Sequence, residues 1–271
     1  MFVSPDAAFH DLIAVTSGLF SDTDVVACTT ASEIGRAGYE DQQIIAVAFR
    51  KAHFSITTYA IESLDRITEE DIEGALIETR LALAQKTLDW SSEFAFLMAD
   101  GLSLREEQLT AFLSASLGPT PLFGGSSGDG ARFAQTWLAR KGVVLRNAAI
   151  VMVARCDRPV RVFSLDHQIP TEARMVVTSA SPDGRIVHEI NAEPAALEYA
   201  RLLGLDPHQL DQFTFAAHPV VVRLGDTHHV RAIRQVKANH DLVFFSAINE
   251  GMVLTLATHD EIVDHLDRGL E

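Results

Sequence analysis

The chain has 271 residues, enough for one large domain or two smaller ones. Its 22 lysines and arginines and 37 aspartates and glutamates give a formal net charge of −15, which disfavours nucleic acid and anionic membrane surfaces as partners. A hydrophobic content of 47% excludes a wholly disordered chain, and a total of two cysteines excludes a disulfide scaffold.

The first half of the chain predicts alternating strands and helices. The segment 4–6 has the residue types of a helix start, and the segment 24–28 predicts a short buried strand that leads into a polar turn over 29–33. Capping boxes at Thr68 and Ser103 predict two further helices. We expect strands over 44–49, 54–59 and 93–99. This alternation is typical of an α/β unit with some parallel pairing.

The second half predicts mostly strands. One helix is expected from about 193 to 203, capped by Asn191 and ended by Gly204, and a short one over 261–266. The predicted strands are 133–138, 143–145, 149–153, 160–165, 175–179, 185–190, 220–224, 230–236, 242–248 and 252–258. We therefore predict an α/β fold of mixed β-sheets stacked face to face with flanking helices, divided into domains 1–205 and 206–271.

A glycine-rich segment offers three interpretations. Gly124, Ser126 and Gly128 match the G-x-S-x-G pattern of a serine hydrolase, in which the serine lies between a strand and a helix. The residues that follow predict a loop and a strand instead of that helix. The segment also suits a tight turn that needs glycine, or a loop whose bare N–H groups contact an anionic or carbonyl ligand.

Other candidate residues lie at predicted strand ends and in the second half. Thr29 and Thr30 follow a predicted strand, where open α/β sheets place ligands. Cys28 lacks an identifiable paired base, so a cysteine nucleophile is disfavoured. His218 could offer an imidazole to a haem iron, although a lone histidine is more often structural. Arg231 could clamp a carboxylate or lie on a solvated strand face.

Six segments, taken in order, resemble the FIST proteins, which are cytoplasmic sensory modules of signal transduction. They are 28–34, 100–102, 121–129, 191–195 with Tyr199, 218–219, and 230–233 with 249–252. Gly124, Gly125 and Asp129 fit the Gly-Gly-x-x-x-Asp form of the family, whereas Ala31 or Ser32 stands where the family usually has glycine. The resemblance covers the FIST N-terminal domain and the first part of the C-terminal domain, so we expect a truncated or naturally short member.

The resemblance implies a ligand-binding sensor and not an enzyme. It implies an amino acid or related metabolite as ligand, no obligatory cofactor, and a signalling partner such as a histidine kinase, a cyclic-dinucleotide enzyme or a chemoreceptor. Some relatives bind haem and sense nitric oxide, which makes His218 an axial-ligand candidate in that alternative. The expected ligand-binding residues are Thr29, Thr30, Glu33, Asp100, Gly101, Gly124, Gly125, Ser126, Asp129 and Arg231.

Cytoplasmic localisation is expected from the start of the chain as well. Asp6, His10 and Asp11 occupy positions where a secretory signal needs an apolar core. We therefore expect neither a membrane partner nor a secretory route.

Overall fold

The structure is a computed structural model that describes residues 1–36, 38–40, 42–130, 132–164, 166–182 and 184–270. The chain divides into two compact units, Met1–Val162 (unit 1) and Phe163–Glu271 (unit 2). No helix in the described ranges is long and apolar enough to cross a membrane.

Unit 1 combines short strands with longer helices. Its helices are α1 (Phe9–Leu19), α2 (Glu69–Lys86) and α3 (Glu106–Leu117), with a 3-10 turn at Leu64–Arg66. Its strands are β1 (Phe2–Val3), β2 (Val26–Thr29), β3 (Glu33–Gly35), β4 (Gly38–Glu40), β5 (Ile44–Ile45), β6 (Phe54–Glu62), β7 (Ser92–Ala99), β8 (Leu122–Ser126), β9 (Leu138–Arg140), β10 (Val143–Leu145) and β11 (Ala148–Cys156).

Two mixed sheets form the centre of unit 1. The first has the order β10-β9-β2-β1-β5 and the second β6-β11-β7-β8, while β3 and β4 form a separate hairpin. β1 and β2 are parallel, as are β7 and β8, and the remaining pairs are antiparallel. The predicted ligand-binding residues of unit 1 lie in the last residues of β2 and β8, at the start of β3, and in the loops that follow β2, β7 and β8.

The two sheets of unit 1 stack face to face. Alternating side chains explain the layers: Cys28 and Leu138 of the first sheet pack on Met98 and Ile150 of the second. The opposite face of the first sheet packs on α1, and the opposite face of the second packs on α2 and α3. The order helix, sheet, sheet, helices confirms the predicted stacked α/β architecture.

Unit 2 is built on a curled antiparallel sheet. Its helices are α4 (Ala195–Leu203), α5 (Gln212–Ala217) and α6 (Ile262–Leu270), with a 3-10 turn at Pro207–Gln209. Its strands are β12 (Gln168–Ala180), β13 (Ile186–Ile190), β14 (Glu193–Pro194), β15 (Val220–Leu224), β16 (Thr227–Arg231), β17 (Ile233–Val236), β18 (Leu242–Phe244) and β19 (Val253–His259).

The curl of this sheet follows from its strand order, β16-β15-β19-β12-β13-β18-β17, with β14 paired to β13. β16 and β17 lie at opposite ends of that order, yet Ala232 alone separates them in the chain. The sheet must therefore bend back on itself. Tyr199 of α4 fills the inside with apolar residues of the strands, and its hydroxyl donates to His218 O at 2.6 Å.

Several element boundaries differ from those predicted. Ser4 is buried after β1 and its N–H donates to Gln43 O, so α1 begins at Phe9 and not at 4–6. Ser103 hydrogen bonds Asp100 O instead of capping α3, which begins at Glu106. The strand predicted over 44–49 is limited to β5, and 230–236 is broken at Ala232 into β16 and β17.

Two predicted strands are wrong for reasons visible in the loops. In the segment 133–138 only Leu138 belongs to a strand. The main-chain N–H groups of residues 133, 134 and 135 instead donate to the Asp129 carboxylate, which holds them in a turn. The described residues of 160–165 form no strand, and Leu165 lies outside the described residues. The turn expected at 181–184 is confirmed by the bond from Gly184 N to Ser181 O, although Asp183 lies outside the described residues.

Candidate functional site

Three strand ends of unit 1 meet at one place. Gly128 N donates to Thr29 O at 3.0 Å, and Gly130 N donates to Thr30 O at 3.3 Å. Ser127 N donates to Ala99 O at 2.7 Å, which joins the end of β8 to the end of β7. We call residues 29–33, 100–101 and 124–130 the strand-end cluster. It brings together the segments of unit 1 that were predicted separately from the sequence.

Glycine is needed in the cluster where backbones approach closely. A Cβ at Gly101 would lie 2.2 Å from Ser127 O. Gly124 has φ +151°, and a Cβ there would lie 2.0 Å from Leu97 O on β7. A Cβ on Gly125, by contrast, would meet no atom within 4 Å. Gly124 and Gly125 belong to β8 and not to a turn, so the tight-turn interpretation is wrong for these two residues.

β8 presents unpaired main-chain groups on the free edge of its sheet. The bonds from Ala95 N to Pro121 O and from Ser127 N to Ala99 O show that the odd-numbered residues turn toward β7. Strand alternation then turns the N–H groups of Gly124 and Ser126 away from β7. Both residues are exposed, and β8 pairs with no other strand in the described ranges. This edge can donate hydrogen bonds to an acceptor from solution.

The threonine hydroxyls of the cluster are already engaged within unit 1. Thr29 is buried, and its Oγ1 accepts a hydrogen bond from Trp137 N at 3.0 Å. Thr30 Oγ1 lies 3.2 Å from Val3 O and donates to the buried Glu33 carboxylate, whose other oxygen accepts from Gln43 N. These groups connect β1, β2 and the turn after β2, so they shape the cluster.

The two aspartates of the cluster are buried hydrogen-bond acceptors. Asp100 accepts from the Thr136 hydroxyl, from Leu102 N at 3.0 Å and from Asn147 N at 2.6 Å. Asp129 accepts from three successive amides, those of residues 133, 134 and 135, at 2.7–2.9 Å. Burial raises the pKa of Asp129, but these amide hydrogen bonds outweigh burial and hold its pKa below the ordinary value.

Sequence reasoning missed Ser127 and Thr136, which are buried polar partners within this network. Ser127 Oγ accepts from Gly101 N at 3.4 Å, and the Thr136 hydroxyl donates a hydrogen bond to the Asp100 carboxylate. Ser127 lies inside the glycine-rich motif, so its position was the available signal, whereas nothing local marked Thr136.

A recess of about 410 Å³ beside α1 was not predicted from the sequence. Phe20, Asp24 and Lys141 line it, and none of the predicted ligand residues does.

Neither nucleophile candidate has the surroundings that its chemistry needs. Ser126 is exposed at the end of β8, and no described residue from 127 to 137 lies in a helix, so the nucleophile-elbow context is missing. Cys28 is buried between the two sheets, and burial raises the pKa of its thiol to about 11. A protonated, enclosed thiol is a poor nucleophile.

His218 and Arg231, the remaining predicted site residues, belong to unit 2. His218 follows α5 with its side chain exposed, and nearby Phe213 is 76% exposed. Haem is held in an enclosed apolar pocket, so these residues do not fit that group. No three His, Cys, Asp or Glu side chains among the described residues are placed to hold a metal ion. Arg231 ends β16, and its Nη1 donates to Val230 O at 3.3 Å.

Two family models match successive parts of the chain. The FIST N domain matches residues 1–193, and the FIST C domain matches residues 195–271. No curated protein and no solved structure matches the chain. FIST domains are sensory signal-transduction domains. Since the two matches together extend over nearly the whole sequence, the chain belongs to the FIST family.

Proposed function

We propose that the strand-end cluster binds a small ligand and that unit 1 reports its presence to a signalling protein. The observation that carries this proposal is the exposed edge of β8, where the N–H groups of Gly124 and Ser126 face away from β7. Most polar side chains around this edge are buried and bonded within the unit. A ligand would therefore meet a preorganised main-chain surface, which lowers the entropic cost of binding.

The chemistry of the edge favours a ligand that carries a hydrogen-bond acceptor. Main-chain N–H groups without bulky side chains suit a carboxylate or carbonyl oxygen. An amino acid or a related carboxylate metabolite supplies such a group. In this proposal Gly124 and Ser126 contact the ligand, and Gly125 keeps the space above the edge open. Thr29, Thr30, Glu33, Asp100, Gly101 and Asp129 hold the cluster in shape.

Signalling requires that the occupied and empty forms differ in energy. The cluster joins the ends of β2, β7 and β8, which come from both sheets of unit 1. A ligand that bonds β8 and touches the turn after β2 would shift the population between arrangements of these strand ends. A cytoplasmic histidine kinase, cyclic-dinucleotide enzyme or chemoreceptor would read that shift.

The proposal is tested by a thermal-shift screen of amino acids and carboxylate metabolites, followed by calorimetry on each hit. Gly125→Val fills the open space above the edge and is expected to weaken binding at least about tenfold. Gly74→Val is the matched control, because Gly74 lies on α2 and a Cβ added there would meet no atom within 4 Å outside the helix backbone. Equal affinity in Gly125→Val and the control would remove β8 from the site, and a screen without hits would contradict ligand sensing.

A further inference from the structure

The free edge of β8 has the features of a strand that accepts another strand. Leu122, Gly124 and Ser126 turn their main-chain N–H and C=O groups away from β7, and residues 123–126 are all exposed. Natural sheet edges are commonly protected by a lysine, a proline, a bulge or a covering segment. β8 itself contains no lysine, no proline and no bulge, since its register with β7 is uninterrupted. Such an edge is suited to pairing with a further strand.

The opposite edge of the same sheet is protected. β6 is the other end strand, and its Thr58 O accepts a hydrogen bond from Arg140 Nη2 at 2.6 Å. A charged side chain therefore lies at that edge and occupies one of its main-chain acceptors. Residues 118–128, by contrast, include all of β8 and contain no charged side chain. No charge within this segment opposes the approach of an identical segment.

The main-chain pattern of β8 is complementary to itself in the antiparallel direction. Gly124 is the central residue of the strand, so a two-fold axis at Gly124 sets Leu122 against Ser126 of a second copy. These are the residues whose main-chain groups face outward. Residues opposed in this way exchange two N–H···O bonds in each hydrogen-bonded pair of an antiparallel ladder. Every outward-facing group of β8 thereby gains a partner.

The same register places the Phe123 ring over Gly125 of the second copy. The two residues form the non-hydrogen-bonded pair, in which opposed side chains are closest. A Cβ on Gly125 would meet no atom within 4 Å, so the space above it is open, and Phe123 is 43% exposed. The ring of Phe96, 5.1 Å from that of Phe123, supports it within its own copy. An aromatic ring over a glycine of the neighbouring strand stabilises such a pair.

We propose that β8 pairs with β8 of a second copy of this chain and joins two four-stranded sheets into one continuous sheet. A single pair of five-residue strands is a small interface, so the dimer is weak and reversible. The inference goes beyond the proposed function, because the pairing needs no ligand. Its one consequence that rests on the proposed function is competition, since ligand and second copy use the same N–H groups of Gly124 and Ser126.

Self-association of the full chain is tested by sedimentation equilibrium from about 10 μM to about 1 mM, the range in which a small, weak interface associates. A reversible equilibrium between monomer and dimer is expected. In ¹H–¹⁵N spectra over the same range, the amide protons of Gly124 and Ser126 should move downfield as the protein concentration rises, because they gain acceptors. The Gly125 amide, which faces β7, should move less.

The register is tested by isotope-filtered nuclear Overhauser spectroscopy on an equimolar mixture of ¹³C-labelled and unlabelled chains. This measurement detects only contacts between copies. The ring protons of Phe123 in one copy should contact the Hα protons of Gly125 in the other. Contacts between Phe123 of one copy and Phe123 of the other, without the contact to Gly125, would mean parallel pairing and would overturn the register.

Two lysine substitutions separate this edge from general association. Phe123→Lys removes the ring and adds a charge at the edge, so it should weaken the dimer at least about tenfold. Phe213→Lys, the same change at an exposed phenylalanine of unit 2, should leave the dimer unchanged. Phe123→Lys keeps the N–H groups of Gly124 and Ser126, and the dimer is measured without ligand. Failure here is therefore distinguishable from failure of the proposed function.

Three results would overturn the dimer. They are a monomer at every concentration, a dimer that Phe213→Lys weakens as much as Phe123→Lys does, and a dimer whose formation leaves the amides of Gly124 and Ser126 unmoved. The first and the third are measured on the unaltered chain. The test therefore stands even where Phe123→Lys fails to fold.

Discussion

Gly124 and Gly125 are chain neighbours with opposite tolerance for a side chain. At Gly124 the positive φ and the 2.0 Å approach to Leu97 O leave no room for a Cβ. At Gly125 the same atom enters open space. The family motif therefore contains one glycine required by packing and one that keeps the surface of the edge bare.

Paired substitutions test this difference. We expect Gly124→Ala to lower the free energy of unfolding by about 3 kcal/mol, because β7 and β8 must separate to admit the methyl group. Gly125→Ala should change the free energy of unfolding by less than about 0.5 kcal/mol. Urea denaturation measures both. Equal losses in the two variants would contradict the close approach of Gly124 to β7.

Asp129 makes the stability of the cluster depend on acid pH. Its pKa lies below the ordinary value of about 4, so its contribution is fully present above that value and is lost as the pH falls through the folded-state pKa. Near neutral pH, Asp129→Asn should cost about 2 kcal/mol, because both carboxylate oxygens accept main-chain amides and the Asn NH₂ group cannot accept at either position. Below about pH 4 the gap to the wild type should narrow in urea denaturation. A gap that stays constant at all pH values would show that the charge of Asp129 plays no part.

At this scale the sequence predicted which residues of unit 1 meet, but not which partners their side chains bond. Hydrogen bonds join the Thr29 side chain to Trp137, the Thr30 side chain to Val3, and the Asp100 carboxylate to Thr136 and Asn147. These partners are distant in the chain, so no local pattern reveals them. The direct ligand contacts expected of Thr29 and Thr30 stay predictions.

At the scale of elements, the corner that leads from β13 into α4 is built on one asparagine. Asn191 has φ +54°; its Oδ1 accepts from Val176 N at 2.9 Å and its Nδ2 donates to Glu198 Oε1 at 2.8 Å. α4 itself begins at Ala195 after Pro194, so Asn191 is not the helix cap expected from the sequence. It joins β12, β13 and α4 through its side chain.

Two substitutions at this corner separate its backbone from its side chain. Asn191→Gly keeps the left-handed conformation and loses the two hydrogen bonds, which should cost about 2 kcal/mol of unfolding free energy. Asn191→Ala loses the bonds and adds backbone strain, which should cost about 1 kcal/mol more. Chemical denaturation followed by circular dichroism measures both. If Asn191→Gly were less stable than Asn191→Ala, the role of the positive φ would be contradicted.

At the same scale, long apolar segments were predicted well and short polar ones poorly. The α2 start at Thr68 and the end of α4 at Gly204 agree with their capping signals. The starts of α1 and α3 do not: Ser4 Oγ accepts from Asp6 N at 3.4 Å and Ser103 Oγ donates to Asp100 O at 2.7 Å, so both hydroxyls bond within the turns that precede these helices. Such local bonds from a side chain to the backbone compete with helix capping.

At the scale of the whole molecule, the family was identifiable because its motifs mark structural joints. The motifs at 28–34, 100–102 and 121–129 meet at the strand-end cluster, and the motif at 191–195 forms the corner before α4. The domain boundary expected at 205/206 stays a prediction; the family matches change between 193 and 195, and the compact units divide at 162/163. Compact units depend on long-range strand pairing, which composition does not reveal.

Chemical-shift mapping of a hit from the metabolite screen tests the central claim most directly. In the ¹H–¹⁵N spectrum of the full chain, the amides of Gly124 and Ser126 should move saturably downfield as the hit is added. The Gly125 amide, which faces β7, should move less. Saturable shifts confined to residues around the recess beside α1, such as Phe20 and Lys141, would contradict the account and place the ligand elsewhere in unit 1.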